Sequence, residues 1–279
     1  MRRTNFAAAL GHGARMTCWP RACSPRGMPG EAEPLRVAAI GDLHVSKTSR
    51  GRVEPLLARM AAAADVLCLC GDLTDYGLRE EAVVLAAELS VVGKKPVLCV
   101  LGNHDHESGR ADDVCEVLLD AGAVVLCGES YEVDGVGFAG TKGFGGGFGE
   151  RALEPWGEAS LKAFVQEAVD EALKLERALS RLRTTERIAL LHYAPIAATV
   201  AGEPEQIFPF LGSSRLEEPL NRFPVRAVLH GHAHHGAPEG RTAGGVPVYN
   251  VSAPVFQRHA PDGDPFRLLL VPRGDGAAS

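Results

Sequence analysis

Apolar runs of five or six residues recur along the first half of the chain, with stretches of helical spacing between them. "LRVAAI" (35–40), "VLCLC" (66–70) and "PVLCVL" (96–101) read as strands. "VEPLLARMAAAA" (53–64), "LREEAVVLAAELSVV" (78–92) and "ADDVCEVLLDAG" (111–122) repeat their apolar residues with helical period. A β-α-β-α-β order predicts a parallel sheet with helices packed on its faces. The pattern then shortens. "AVVLC", "SYEV" and "VGFAG" (123–140) are parted by a Gly-Glu and an Asp-Gly turn, which predicts antiparallel pairing. A long helix is expected near 158–182, followed by "IALLHY" (188–193), "AVLH" (227–230), "VPVYNV" (246–251) and "FRLLLV" (266–271). There is no internal repeat and no interdomain linker.

Five of these runs deliver Asp, Asn or His at their carboxyl ends. "AAI" leads into Gly41-Asp42-Leu43-His44, "LCLC" into Gly71-Asp72, and "LCVL" into Gly102-Asn103-His104-Asp105. "IALL" ends at His192, and "AVLH" at Gly231-His232-Ala233-His234. In an open α/β sheet that edge is where ligands bind. Taken singly, each motif describes something ordinary: a Gly-Asp turn, a core histidine, a solvated loop. Taken together they supply two aspartates, one asparagine and four histidines, with His104 beside them. Asp42 with His44, and His232 with His234, are spaced i, i+2, so extended backbone would point both members of a pair to one side. Carboxylate, amide oxygen and imidazole suit borderline divalent metals, and seven ligands without a cysteine exceed what one structural zinc needs. The set points to a dinuclear hydrolytic centre.

Composition narrows the setting. At 279 residues and 46% hydrophobic, the chain can bury a large core. No apolar run reaches the ~18–20 residues needed to span a bilayer, so no membrane partner is expected. Residues 1–30 hold five arginines and no acid; the remainder carries 24 basic against 35 acidic side chains, a balance of −11. A body that acidic lacks the footprint for a long nucleic-acid backbone. The Arg/Gly/Pro-rich residues 1–33 read as a disordered, dispensable extension before a single domain over 34–273. Its "FAAAL" is too short for a signal peptide. Cys68, Cys70, Cys99 and Cys127 lie in apolar runs and there is no Cys-x-x-Cys pair, which fits a reducing, cytoplasmic compartment.

The ordered series D-x-H, G-D, G-N-H-[DE], H and G-H-x-H, spanning residues 42–234, resembles the calcineurin-like metallophosphoesterase superfamily. The resemblance implies an α/β fold, a four-layer αββα sandwich of two mixed β-sheets flanked by helices. It implies that Asp42, His44 and His234 hold one metal, that Asn103, His192 and His232 hold a second, and that Asp72 bridges them. The cofactors would be two divalent ions (Mn, Fe or Zn), with a hydroxide held between them as the nucleophile. His104 would protonate the leaving group, with Asp105 orienting its imidazole; Asn103 and His104 would also touch substrate. His230 is expected to be structural, and His106 and His235 fall outside the pattern.

The length and the G-N-H-D form are further similar to bacterial class III cyclic nucleotide phosphodiesterase-like proteins. The loops over 143–157 and 194–212 carry Glu150, Glu154, Glu203 and Glu205, and acidic rims favour a small phosphodiester over DNA. "GTKGFGGGFG" (140–149) has six glycines in ten positions and is expected to be mobile, with Lys142 solvated. A phosphomonoesterase or nuclease with the same centre is the alternative activity. From another class, the alternative is a non-catalytic interaction module on the same fold.

Overall fold

A computed structural model describes residues 33–274. The extension assigned to residues 1–33 falls, but for Glu33, outside the described residues. The strands are β1 (Leu35–Ile40), β2 (Val66–Cys70), β3 (Val97–Val100), β4 (Val124–Val125), β5 (Glu129–Val133), β6 (Val136–Gly140), β7 (Glu186–Leu190), β8 (Ala227–His230), β9 (Glu239–Arg241), β10 (Pro247–Asn250) and β11 (Arg267–Val271). The helices are α1 (Glu54–Ala63), α2 (Arg79–Leu89), α3 (Ala111–Asp120), α4 (Ala159–Arg181), α5 (Phe208–Leu211), α6 (Glu217–Arg222) and α7 (Ala253–His259).

Two mixed sheets result, ordered β11-β1-β2-β3-β4 and β5-β6-β7-β8-β10-β9. The period of two along each strand sorts its side chains into separate cores. Val37, Ala39, Cys68, Cys70, Leu98 and Val100 of the first sheet face Phe138, Ile188, Leu190 and Leu229 of the second. The alternate residues Ala38, Ile40, Leu67, Leu69 and Cys99 pack outward on Leu57, Met60, Leu85 and Leu118 from α1 to α3. Ala139, Ala189, Val228 and Val248 do the same on the other side with Leu175 and Leu179 of α4 and Leu220 of α6. Helices, sheet, sheet, helices: this is the four-layer sandwich, and it explains why the strands read as unbroken apolar runs.

The antiparallel expectation over 123–140 holds for β5 with β6 only. β4 pairs parallel with β3, Leu98 opposite Val124 and Cys99 opposite Val125. The helix α3 works as a crossover that returns the chain beside β3, and the Gly-Glu turn then carries it from one sheet to the other. Cys68, Cys70 and Cys99 are buried free thiols, as their apolar surroundings suggest, whereas Cys127 is exposed. Among the described residues no helix is long and apolar enough to cross a membrane.

β1, β2 and β3 run parallel in one sheet, and β6, β7, β8 and β10 run parallel in the other. The seam between the sheets is closed at their carboxyl ends, where Gly41 N–H donates to Val251 O (2.8 Å) and Ala253 N–H to Gly41 O (3.1 Å). Loops from both sheets therefore meet at one edge.

Candidate metal centre

The loops that leave β1, β2 and β8 turn sharply. Asp42, His44, Asp72 and His232 have φ of 60°, 45°, 47° and 70°. These are left-handed conformations that cost a non-glycine residue on the order of 1 kcal/mol or more each. The extended i, i+2 geometry expected for Asp42/His44 and His232/His234 is thus not what aims these side chains. The loops are instead held turned by backbone bonds: Asp42 N–H to Gly71 O (2.9 Å) and His44 N–H to Asp72 O (3.0 Å). The His232 N–H donates to both Asp42 carboxylate oxygens, at 3.0 and 3.1 Å.

The glycines preceding Asp72, Asn103 and His232 are explained by crowding. A Cβ on Gly71 would come within 2.4 Å of the His192 ring, one on Gly102 within 2.2 Å of Asp72 Oδ1, and one on Gly231 within 2.4 Å of Asp42 Oδ2. These are not generic turns; the ligand side chains occupy the space a side chain would need.

All seven expected ligands converge. Asp42, His44 and His234 place one ligand atom each within 4.8 Å of one another, and so do Asp72, His192 and His232. Asn103 joins the second group through Oδ1, 3.0 Å from His192 Nε2. Asp72 faces both groups, with Oδ2 3.8 Å from His44 Nε2 and Oδ1 3.3 Å from His192 Nε2.

Hydrogen bonds to carbonyls, which can only accept, settle which ring nitrogens keep lone pairs. His192 Nδ1–H donates to Cys70 O (3.0 Å), leaving Nε2 for the centre. His232 Nε2–H donates to Phe210 O (3.1 Å), leaving Nδ1. His44 Nε2 is buried without any hydrogen-bond partner, an expensive orphan unless a cation meets it. Nitrogen lone pairs and carboxylate oxygens converge, and electrostatics responds accordingly. Burial opposes charge on His192, yet the Asp72 carboxylate outweighs it and lifts the imidazole to about 9, so a cation taken up at Nε2 displaces a proton there. Burial likewise opposes charge on Asp72, but His192 holds that carboxyl well below its ordinary range. Burial pushes His232 down to about 4, which keeps it neutral as a ligand must be. These donors fit two divalent ions of borderline softness.

His104 stands beside this centre. Its N–H donates to Asp72 Oδ1 (2.9 Å), and its ring meets His44 edge-on with centroids 4.6 Å apart. The imidazole is oriented through Nδ1–H, which donates to Asp75 O (2.7 Å), so Nε2 is presented outward. Asp105 does not orient that ring. It is fully buried and accepts from Leu73 N (3.1 Å), Thr74 N (2.8 Å), Thr74 Oγ1 (2.6 Å) and Gly102 N (2.8 Å), tying the β2 and β3 loops together. With both oxygens spent on four donors it has no lone pair in position for an imidazole.

Asp75 is the residue that motif reading missed. Its Oδ1 lies 3.5 Å from His44 Nδ1, and its carbonyl holds His104. The available signal was a second carboxylate three residues after Asp72 in Gly-Asp-x-x-Asp. Asn250 braces the other side: Nδ2 donates to Ala233 O (2.7 Å) inside the histidine loop. His230 is structural. It is buried, its Nδ1–H donates to Gly231 O (2.8 Å) and its Nε2 accepts from the Thr199 hydroxyl (2.8 Å). His235 accepts from Arg258 at 2.7 Å, away from the ligand groups.

The glycine-rich loop is packed. Gly146 N–H donates to Pro209 O (2.6 Å), Gly147 N–H to Gly212 O (2.9 Å), and Ser214 N–H to Gly147 O (3.1 Å). Glycine serves there for close backbone approach: a Cβ on Gly145 would sit 2.5 Å from Pro209 O. Lys142, expected to be solvated, is mostly covered; its Nζ donates to Gly143 O (2.8 Å) and lies over the Phe144 ring, 4.7 Å from the centroid. The rim acids are partly committed: Glu154 pairs with Arg215 (3.1 Å) and Glu203 accepts from His235 N–H (2.6 Å).

Comparison with known proteins bears on the family and the fold. The model of a family described as calcineurin-like phosphoesterase matches residues 35–236. The fold is similar to the phosphopantetheinyl hydrolase of Mycobacterium tuberculosis, with TM-score 0.61 and 16% identity over 86% of this chain and 97% of that one. It is similar to a purple acid phosphatase from yellow lupin (Lupinus luteus) seeds, with TM-score 0.50 and 15% identity over 80% of this chain and 45% of that one. It also matches GAP50 of Plasmodium, named as the anchor in the inner membrane complex, with TM-score 0.50 and 12% identity over 80% and 73% of the two chains. An uncharacterized protein of Methanocaldococcus jannaschii is 38% identical over 71 residues, 25% of this chain and 29% of that protein. The chain thus spans less than a third of that curated relative.

Proposed function

The chain belongs to the calcineurin-like phosphoesterase family, and from that premise we propose that it hydrolyses a small phosphodiester with two divalent ions, Mn, Fe or Zn. The observation that carries the reading is the convergence of six candidate ligand side chains around the buried Asp72 carboxylate. Asp42, His44 and His234 would hold one ion, Asn103, His192 and His232 the other, and Asp72 both. When bound, such ions would supply Lewis-acid charge and lower the pKa of a water from 15.7 towards about 7.

The chain's own groups do the rest. His104, anchored at Nδ1, offers Nε2 as the acid for the leaving oxygen. Asp75 positions both His104 and His44. Asn103 and His104 lie where the phosphoryl group would touch them. Asp105 keeps the two loops at fixed separation. Lys142 is turned towards Gly143 O and an aromatic face. With that lysine engaged, phosphate charge would be answered chiefly by the ions. Lys142 therefore adds no charge that would reward a monoester's dianion, and the single charge of a diester suffices. An acidic body and rim argue against a long nucleic-acid substrate, and the buried thiols suit a cytoplasmic location.

A second reading keeps this fold as a non-catalytic interaction module, as the anchoring role named for GAP50 suggests. Two features oppose it: every ligand position is filled, and His44 Nε2 is buried without a partner. A panel assay on Mn²⁺-reconstituted protein decides between the readings. Aryl diesters or cyclic nucleotides should be hydrolysed faster than aryl monoesters and single-stranded DNA. No turnover on any member would favour the module, and a clear monoester preference would favour a phosphatase.

A further inference from the structure

A cavity of about 390 Å³ opens beside the second ligand group. Asn103 and His232 form its inner wall, and its other lining residues include Phe144, Phe164, Tyr193, Ile207 and Phe210. That size falls in the usual range for small-molecule sites, about 300–1,000 Å³. Among the described residues no charged side chain lines it.

The cavity is built by segments locked to one another. The glycine-rich loop bonds to residues 209–214, and Ala194 N–H donates to Leu211 O (3.0 Å). Phe144 and Phe164 tilt together with centroids 4.8 Å apart, Phe144 and Tyr193 stand 5.7 Å apart, and Phe164 meets Phe210 edge-on at 6.1 Å. Yet the outer wall is unpartnered: Phe210 is 59% exposed. A hydrophobic residue left that open over a preformed aromatic cavity is apolar surface a ligand can cover.

We infer that this cavity is a specificity subsite for an apolar, ring-bearing ester group on the phosphorus, and that it rests on the phosphoesterase reading above. Two observations select the occupant. Aromatic rings at edge and tilted angles accept a further ring in the same pattern. A nucleobase would need partners for its ring-edge donors and acceptors. The wall offers the Tyr193 hydroxyl, while Asn103 and His232 are assigned to an ion, and unpaired polar groups there are costly. The position selects which ester group. The inner wall carries two ligands of the second ion, whereas His104 packs on His44, a ligand of the first. The group in the cavity is therefore the one that stays on phosphorus, not the one His104 protonates. Phe210 links subsite and centre, since its carbonyl holds His232 while its side chain forms the lip.

The test is calorimetric binding to Mn²⁺-reconstituted protein, with phenylphosphonate, methylphosphonate and adenosine 5′-monophosphate as probes. Phenylphosphonate is expected to bind about tenfold to a hundredfold tighter than methylphosphonate, the worth of burying one ring. It should also bind tighter than the nucleotide. Phe164→Ala should remove most of the phenyl preference. Should that variant unfold, Phe210→Ala removes an exposed side chain while keeping the carbonyl that holds His232, and should weaken the preference similarly. Equal affinity for the two phosphonates, a preference unchanged in both variants, or tightest binding of the nucleotide would overturn the subsite. The phenyl preference with no hydrolysis of any ester would instead sink the phosphoesterase reading, and with it the cavity's role in substrate choice, leaving only a ring-binding pocket.

Discussion

Asp72→Asn is expected to lower bound metal and to cut turnover by at least about a thousandfold, the two losses appearing together. The residue supplies the anionic oxygens that face both ligand groups, Oδ2 towards His44 and Oδ1 towards His192. An amide has one acceptor and no charge, and its nitrogen would turn protons towards one group of ligands. The fold should tolerate the change, because the amide oxygen can still accept the His104 N–H now bonded to Oδ1. Elemental analysis and a steady-state assay on one preparation check both halves. A variant that kept two metal equivalents and near-normal rate would remove Asp72 from the bridging role.

His104→Ala should separate metal binding from proton donation. No ligand is removed, so metal content should stay intact. Turnover of esters with alkoxide-like leaving groups should fall by about 10²–10⁴, the usual worth of a positioned acid. Nitrophenolate leaves as a stable anion and needs little protonation, so its esters should lose far less. Measuring both substrate types on one variant controls for general damage. Equal losses, or loss of metal, would take His104 out of the acid role.

The frame of this molecule is legible where its strands are buried on both faces. "LRVAAI", "VLCLC", "VGFAG" and "AVLH" coincide with β1, β2, β6 and β8, and the ligands follow those ends. The failures share a cause: they concern which neighbour a group meets. β4 is two residues long, too short for its pairing partner to show in its own pattern. Asp105 sits next to His104 in sequence, yet the short helical turn over 104–106 sends its carboxylate inward to four donors. The glycines of 143–147 read as freedom, whereas tertiary contacts use them for closeness. Left-handed turns at Asp42 and His232 are likewise imposed by bonds between distant loops, which i, i+2 spacing cannot express. Asp75 acts partly through its carbonyl, a group every residue has.

Seven side chains of this chain are proposed to hold two ions, with Asp72 shared between them. Anomalous diffraction at the manganese edge, on crystals of Mn²⁺-reconstituted protein, tests this assignment most directly. Two peaks about 3.5–4 Å apart are expected. One should be contacted by Asp42, His44 and His234, the other by Asn103, His192 and His232, with Asp72 reaching both. A single peak, or two that do not share Asp72, would contradict it.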